Sequence, residues 1–347
     1  MRKKHFLFAS VLALLCSSST LHAQDFKLTS SGYFKNQGVD VMAFDDIYPE
    51  GHQGGVCIIM NGHRVATNGD IRLEATPGQW QPVPKQLDRK LGDNSITATL
   101  CYPDSSRHLT GFNPMIYPDL HLIYTVNVES KGKNIEVTVD LDRPIPQEFI
   151  GKVGFNLEFF PGSLFGKPWI MDGQSGIFPQ QPNSPLMTTQ PNYLHTGNYH
   201  DGKKSLADMD KLIGKGYSPI VADDIISEPY AKGTKFTSRP DDPYNKVTIE
   251  SLSGDLQLFD GRMNHNNGWF VLRSNIKPGV TKGAVKWIIT PNVVADWMYQ
   301  PVIQTSQIGY HPTQDKEAVI EMDIRDNRKE TAQIIRIDAD GEKVVKN

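Results

Sequence analysis

"HLIYTVNVESKGKNIEVTVDLDR", His121 to Arg143, alternates apolar and polar residues on both sides of a Lys131-Gly132-Lys133-Asn134 turn. Successive side chains of a strand point to opposite faces, so Tyr124, Val126 and Val128 share one face and Ile135, Val137 and Val139 continue it after the turn. The pattern predicts a β-hairpin with one buried face.

Outward from this hairpin, turn signals recur every eight to fifteen residues: Asn61-Gly62, Asn68-Gly69, Pro77-Gly78, Gly92-Asp93-Asn94, Gly254-Asp255 and Pro278-Gly279. Between them lie further strand patterns, among them IRLEA, SITATLCY, VGFNLEFF, NKVTIESL, LQLFDG, WFVLRS and AVKWIITP. Only SLADMDKLIG suggests a helix, with Leu206, Met209 and Leu212 on one stripe. Short strands without crossover helices favour an antiparallel sandwich over a doubly wound sheet or an α/β barrel. The expected class is all-β, with a large antiparallel β-sandwich of supersandwich type over residues 24–298.

The chain has 347 residues and 38% hydrophobic content, enough for one large core and a smaller unit. Its 36 basic and 39 acidic residues are dispersed, giving a net charge of -3 and no basic block, so a nucleic-acid partner is not expected. Gly-x-Ser-x-Gly, a P-loop and a dinucleotide fingerprint are all absent, and no cofactor is expected.

Arg2, Lys3 and Lys4 precede the apolar run Phe6–Leu15, and Leu21-His22-Ala23 offers a cleavage site, so residues 1–23 read as an export signal. Leu14-Leu15-Cys16 is also similar to a lipoprotein box, with Leu15 where a small residue is usual. The expected location is periplasmic or extracellular, with a lipid anchor on Cys16 as the alternative. No later run is long enough for a membrane span, and a monomer is expected.

Cys57 and Cys101 remain after the leader, both in strand-like runs. An oxidising compartment allows them to pair, while burial as two separate small apolar residues explains them equally well. They form no zinc-ligand pattern, and no metal site is expected.

The segment FFPGSLFGKPWIMDGQSGIFPQQPNSPLMTTQPNYLHTGNYHDGK is rich in Pro, Gly, Asn and Gln and reads as a packed loop or surface meander. Within it, Trp169, Asp172 and Gln174 put an aromatic face, a carboxylate and an amide at a tight turn, a combination suited to gripping a sugar ring. An Asx-type turn packed by Trp169 is the structural alternative. Glu158 alternates with Phe155 and Leu157, which allows either a cleft carboxylate or an outward strand residue. His195, Tyr199, His200 and Asp201 cluster on one loop, as an acid/base group or as solvated side chains. Of the five tryptophans, Trp287 reads as core, whereas Trp269, following a polar run, is a candidate exposed platform. No catalytic residue is assigned.

After Pro301 the patterning restarts with PVIQTSQIGYHPTQDKEAVIEMD. This stretch resembles the start of the immunoglobulin-like domain that precedes the catalytic barrel in family-9 glycoside hydrolases, the cellulase and endoglucanase group. Gln307, Gly309, Tyr310, Pro312 and Lys316 match its opening turn, and AQIIRIDADGEKVVKN is similar to its next hairpin. The upstream run GFNLEFFPGSLFGKPWIMDGQSGIFPQQPN also looks like the sandwich that precedes this pair in secreted glycan-degrading enzymes.

The resemblance implies that residues 301–347 are part of an Ig-like sandwich, and that the parent acts on β-glucan-type polysaccharide. The family's helical barrel, its Asp-Ala-Gly-Asp base motif and its late acidic residue do not occur in this sequence. Cleavage needs two positioned carboxylates. The expectation is therefore a non-catalytic accessory portion, cut short of its barrel, whose partner is either the polysaccharide or the downstream catalytic domain. The alternative is a stand-alone glycan-binding or envelope protein.

Overall fold

The computed structural model describes residues 25–45, 47–48, 51–52, 54–74, 76–77, 84–102, 120–182, 227–263, 268–327 and 331–347. The expected export signal, the stretch holding His195, Tyr199, His200 and Asp201, the helix expected over 205–214, and Trp80 lie outside them.

Two nine-stranded antiparallel sheets form the sandwich. The first runs, in spatial order, Lys27–Leu28, Phe34–Asn36, Val39–Ala43, Val56–Met60, His63–Leu73, Val153–Phe159, Phe270–Asn275, Leu256–Asp260 and Ala231–Gly233. The second runs Gln174–Ile177, Pro168–Met171, Lys235–Ser238, Val247–Ser251, Val285–Pro291, Asn134–Leu141, Ile123–Lys131, Ser95–Cys101 and Lys85–Leu91.

The opening hairpin forms in the register its pattern demands, with Val126 opposite Val139, Val128 opposite Val137 and Lys131 opposite Asn134. Gly132 adopts φ 65°, which a residue with a Cβ takes up reluctantly. Val126, Val128, Val137 and Val139 are fully buried against the first sheet. Trp287 from the second sheet meets Phe155 from the first edge-on at 5.0 Å, and its indole N–H donates to Ser274 Oγ at 3.0 Å. Phe159 and Phe236 join the sheets in the same way at 5.8 Å. Edge-to-face geometry sets a positive ring edge against a negative ring face, and the buried N–H keeps a partner.

The outer face of the second sheet is half-exposed and polar, as in Thr97, whose hydroxyl donates to Asn127 Oδ1 at 2.8 Å. The first sheet differs. Every residue of Val153–Phe159 is buried, so this antiparallel strand has no solvent face.

The segment expected to be a loop or meander contains a hairpin, Pro168–Met171 with Gln174–Ile177, at the edge of the second sheet. Four-residue strands flanked by Pro and Gly carry too few alternations to stand out from turn composition.

Cys57 and Cys101 form no disulfide, so of the two readings left open the separate placement in strands is the one the structure shows. Cys57 alternates with the core residues Val56 and Ile58 on the first sheet, and Cys101 follows the core residue Leu100 on the second. Strand alternation turns both side chains to the outer faces of opposite sheets, where they do not face one another.

Beyond the sandwich the chain forms two separate two-stranded ladders, Val302–Gln304 with Val319–Glu321 and Ile334–Asp338 with Gly341–Lys346. The turn that carried the family resemblance is built locally. Gly309 takes φ 81°, the Ser306 N–H donates to Tyr310 Oη at 3.1 Å, and the Tyr310 hydroxyl reaches the Glu317 carbonyl. The Lys316 ammonium donates to the carbonyls of His311, Pro312 and Gln314 at 3.2, 2.7 and 2.7 Å. The matching residues Gly309, Tyr310 and Lys316 are thus the ones that close the turn.

Candidate functional site

The outer face of the first sheet's central strands carries charge instead of solvent-facing small residues. Asn156 and Glu158 alternate with the core residues Phe155, Leu157 and Phe159, so they project to the side away from the core. Arg273 comes from the neighbouring strand, opposite Asn156. Glu74 follows the strand His63–Leu73 directly, where its backbone N–H donates to the Lys152 carbonyl at 2.7 Å.

Three of these groups, Glu74, Asn156 and Arg273, interlock. Asn156 Nδ2 donates to Glu74 Oε1 at 2.6 Å, and Arg273 Nη1 reaches Asn156 Oδ1 at 3.2 Å and Glu74 Oε1 at 3.4 Å. Arg273 Nη2 donates to the Glu74 carbonyl at 2.9 Å, and Nε donates to Asn275 Oδ1 at 2.7 Å. Glu158 accepts from Asn68 Nδ2 at 2.6 Å.

Space for the guanidinium comes from Gly154, where a Cβ would lie 2.7 Å from Arg273 Nε. Burial pushes the Glu74 carboxyl up to about 7; nearby Glu158 adds to the rise, and Arg273, Arg72 and the Asn156 amide oppose it. Burial next to Asp70 likewise raises the phenols of Tyr102 and Tyr124, and the Tyr124 hydroxyl donates to Asp70 Oδ1 at 3.0 Å. A carboxyl that titrates near neutrality among fixed donors is chemically able to exchange a proton. The sequence pattern points to Glu158 but not to Glu74 or Arg273. The signal for them was present in Glu74, Asn156 and Arg273 as polar residues inside otherwise apolar strand runs.

The residues selected for sugar binding sit elsewhere. The structure places Trp169 in the core, with its ring against Gly176, where a Cβ would approach within 2.5 Å. Asp172, at φ 49°, accepts the backbone N–H groups of Thr234 at 2.8 Å and Lys235 at 3.0 Å. Gln174 Nε2 donates to the Lys232 carbonyl at 2.6 Å. Asp172 and Gln174 therefore tie this edge hairpin to residues 232–235. Trp269 is half-buried and meets Phe160 edge-on at 4.4 Å.

A second locus lies where the sandwich meets the tail. Trp297 packs on Gly38, whose added Cβ would come within 2.7 Å of the indole, and Tyr299 packs on Gly62 in the same manner at 3.2 Å. Gln37 Nε2 donates to the Trp297 carbonyl at 2.7 Å, and Arg325 donates to the same oxygen. Asp323 accepts the Tyr299 N–H at 3.0 Å, the Arg325 N–H at 2.9 Å and the Arg325 guanidinium at 3.0 and 3.1 Å. These donors hold the Asp323 carboxyl well below the usual carboxylate range. The two turns Gln37-Gly38 and Asn61-Gly62, the linker and the tail thus form one joint.

No group of three or more His, Cys, Asp or Glu among the described residues is arranged to hold a metal, and no helix among them is long and apolar enough to cross a membrane.

No family model and no curated protein matches this chain. Among solved structures it is similar to the Slr1438 protein of Synechocystis sp. PCC 6803, at 12% identity over 84% of this chain and 100% of that one, with a TM-score of 0.33. It is also similar to the heparan sulfate lyase HepC of Pedobacter heparinus, at 11% identity over 94% of this chain, with a TM-score of 0.26. The chain spans 42% of the length of that lyase. Similarity at this level leaves fold and site to rest on the strand pairing and side chains described above.

Proposed function

We propose that this chain is the non-catalytic, accessory part of an exported protein that acts on β-glucan-type polysaccharide, in which the sandwich holds the Ig-like strands at a set angle. The observation that carries this reading is the joint. Linker aromatics are seated on two glycine turns, and Asp323 and Arg325 fasten the tail to the same linker, an arrangement suited to orienting one unit against another. The resemblance of Gln307, Gly309, Tyr310, Pro312 and Lys316 to the opening turn of the family-9 Ig-like domain supports the family part of this reading, and the leader-like pattern of residues 1–23 supports export.

A second reading, a catalytic site within the sandwich, is favoured by the Glu74–Asn156–Arg273 cluster with Glu158 nearby. One experiment separates the two. The purified chain is incubated with carboxymethyl-cellulose and xyloglucan, and both reducing-sugar release and retention on insoluble β-glucan are measured. Retention without release is the expected result. Release that disappears in Glu158→Gln or Glu74→Gln would establish the catalytic reading instead.

A further inference from the structure

The joint borders an open cleft of about 340 Å³ between the hairpin Phe34–Asn36/Val39–Ala43 and the tail. Its volume lies within the range of small-molecule sites, roughly 300 to 1,000 Å³. Lys35, Asp40, Ile59, Asp323, Ile324 and Arg325 line it.

The charges are matched in pairs. Lys35 Nζ stands 3.7 Å from Asp40 Oδ1 across the hairpin, and Arg325 grips Asp323. Two cations beside two carboxylates leave no net charge to attract an ion. Partial burial raises the Asp40 carboxyl and Lys35 opposes the rise, while a third of the Asp40 side chain stays accessible to a ligand. Asp40 offers acceptors and Lys35 a donor, and Ile324, which is 99% exposed, adds an apolar surface beside them. A hydroxyl-rich neutral ligand matches such a lining, because hydroxyls both donate to carboxylates and accept from ammonium and guanidinium groups, and C–H faces cover the isoleucine.

We propose that this cleft binds a short stretch of neutral oligosaccharide, with Asp40 accepting hydroxyls and Ile324 meeting a ring face. The site rests on the accessory reading above and places its sugar contact at the joint, away from Trp169, Asp172 and Gln174.

The test is amide NMR and calorimetric titration of the full chain with cellotetraose, xylotetraose and mannotetraose, and with a heparin-derived tetrasaccharide as the anionic control. At least one neutral sugar should shift the amides of residues 35–40, Gly62 and residues 323–325, and heparin should not. Asp40→Ala should weaken that binding about tenfold or more. Ile324→Ala, at a side chain that is almost wholly solvent-exposed, should weaken it about threefold with an unchanged melting temperature. Shifts confined to other surfaces, unaltered affinity in Asp40→Ala with its fold intact, preference for heparin, or no binding of any neutral sugar would each overturn the site. Retention of wild type and Asp40→Ala alike on insoluble glucan would remove the cleft but leave the accessory reading standing. Absence of wild-type retention would remove that reading as well.

Discussion

Asp323 accepts the backbone N–H of Tyr299 at 3.0 Å, so a carboxylate in the tail fixes the linker that leaves the sandwich. The same carboxylate binds Arg325, and Arg325 shares the Trp297 carbonyl with Gln37 of the sandwich. Removing the charge should loosen several contacts at once. Asp323→Asn is expected to raise proteolytic cleavage and amide exchange throughout residues 299–327 while the sandwich keeps its melting temperature; unchanged exchange at Tyr299 would refute the coupling.

The sign of its pH dependence follows from the depressed carboxyl. A group whose folded-state pKa is lowered contributes fully above its ordinary unfolded value, and its contribution fades as pH falls through the folded one. Protection of the Tyr299 amide should hold at pH 5 and above and decline only in strong acid. Hydrogen exchange followed from pH 7 downward measures this directly.

Glu74 behaves oppositely. Its folded carboxyl titrates at about 7 against an ordinary 4.5, so its ionisation favours the unfolded chain, and stability present below about 4.5 is lost as pH rises through 7. The difference corresponds to roughly 3–4 kcal/mol, from about 1.36 kcal/mol per pKa unit. Glu74→Gln keeps an acceptor for Asn156 and Arg273 and should flatten denaturant-measured stability between pH 5 and 8.

Gly38 has φ 65°, and its added Cβ would lie 2.6 Å from Asn61 Oδ1 and 2.7 Å from the Trp297 ring. Gly38→Ala combines left-handed strain of about 1–2 kcal/mol with displacement of the indole. Trp297 fluorescence should shift toward that of a solvated indole, and tail proteolysis should quicken.

Trp169→Ala should cost about 3–5 kcal/mol, the range for removing a buried large aromatic. Gly176 beneath the ring has no side chain to refill the space. Urea unfolding provides the value. A cost below about 1 kcal/mol combined with lost glucan retention would return Trp169 to the surface role first suggested by its neighbours.

Much of the sandwich was legible because a half-buried strand writes its period into the chain. Val126, Val128, Val137 and Val139 gave both the hairpin and its register. Glu158 could be read as facing either a cleft or solvent, since alternation alone does not say whether the polar side of a strand is covered. Glu74 and Arg273 escaped notice because they are 199 residues apart and meet only through sheet order. The roles of Asp172 and Gln174 were hidden for the same reason: their partners, residues 232–235, lie some sixty positions downstream. Cys57 and Cys101 looked pairable because composition reports compartment, whereas strand parity and sheet membership decide where a thiol points.

The strand Val153–Phe159 has one further consequence, for how the fold avoids error. In an ordinary half-exposed strand, a one-residue slip is opposed only by the misplaced apolar side, since water tolerates most of what is turned outward. Here a slip would drive Asn156 and Glu158 in among Trp287 and Phe236 and would also thrust Phe155 and Leu157 against Arg273 and Glu74. Both sides would object, so the charged row acts as a key that admits a single alignment of the sheet's central strand.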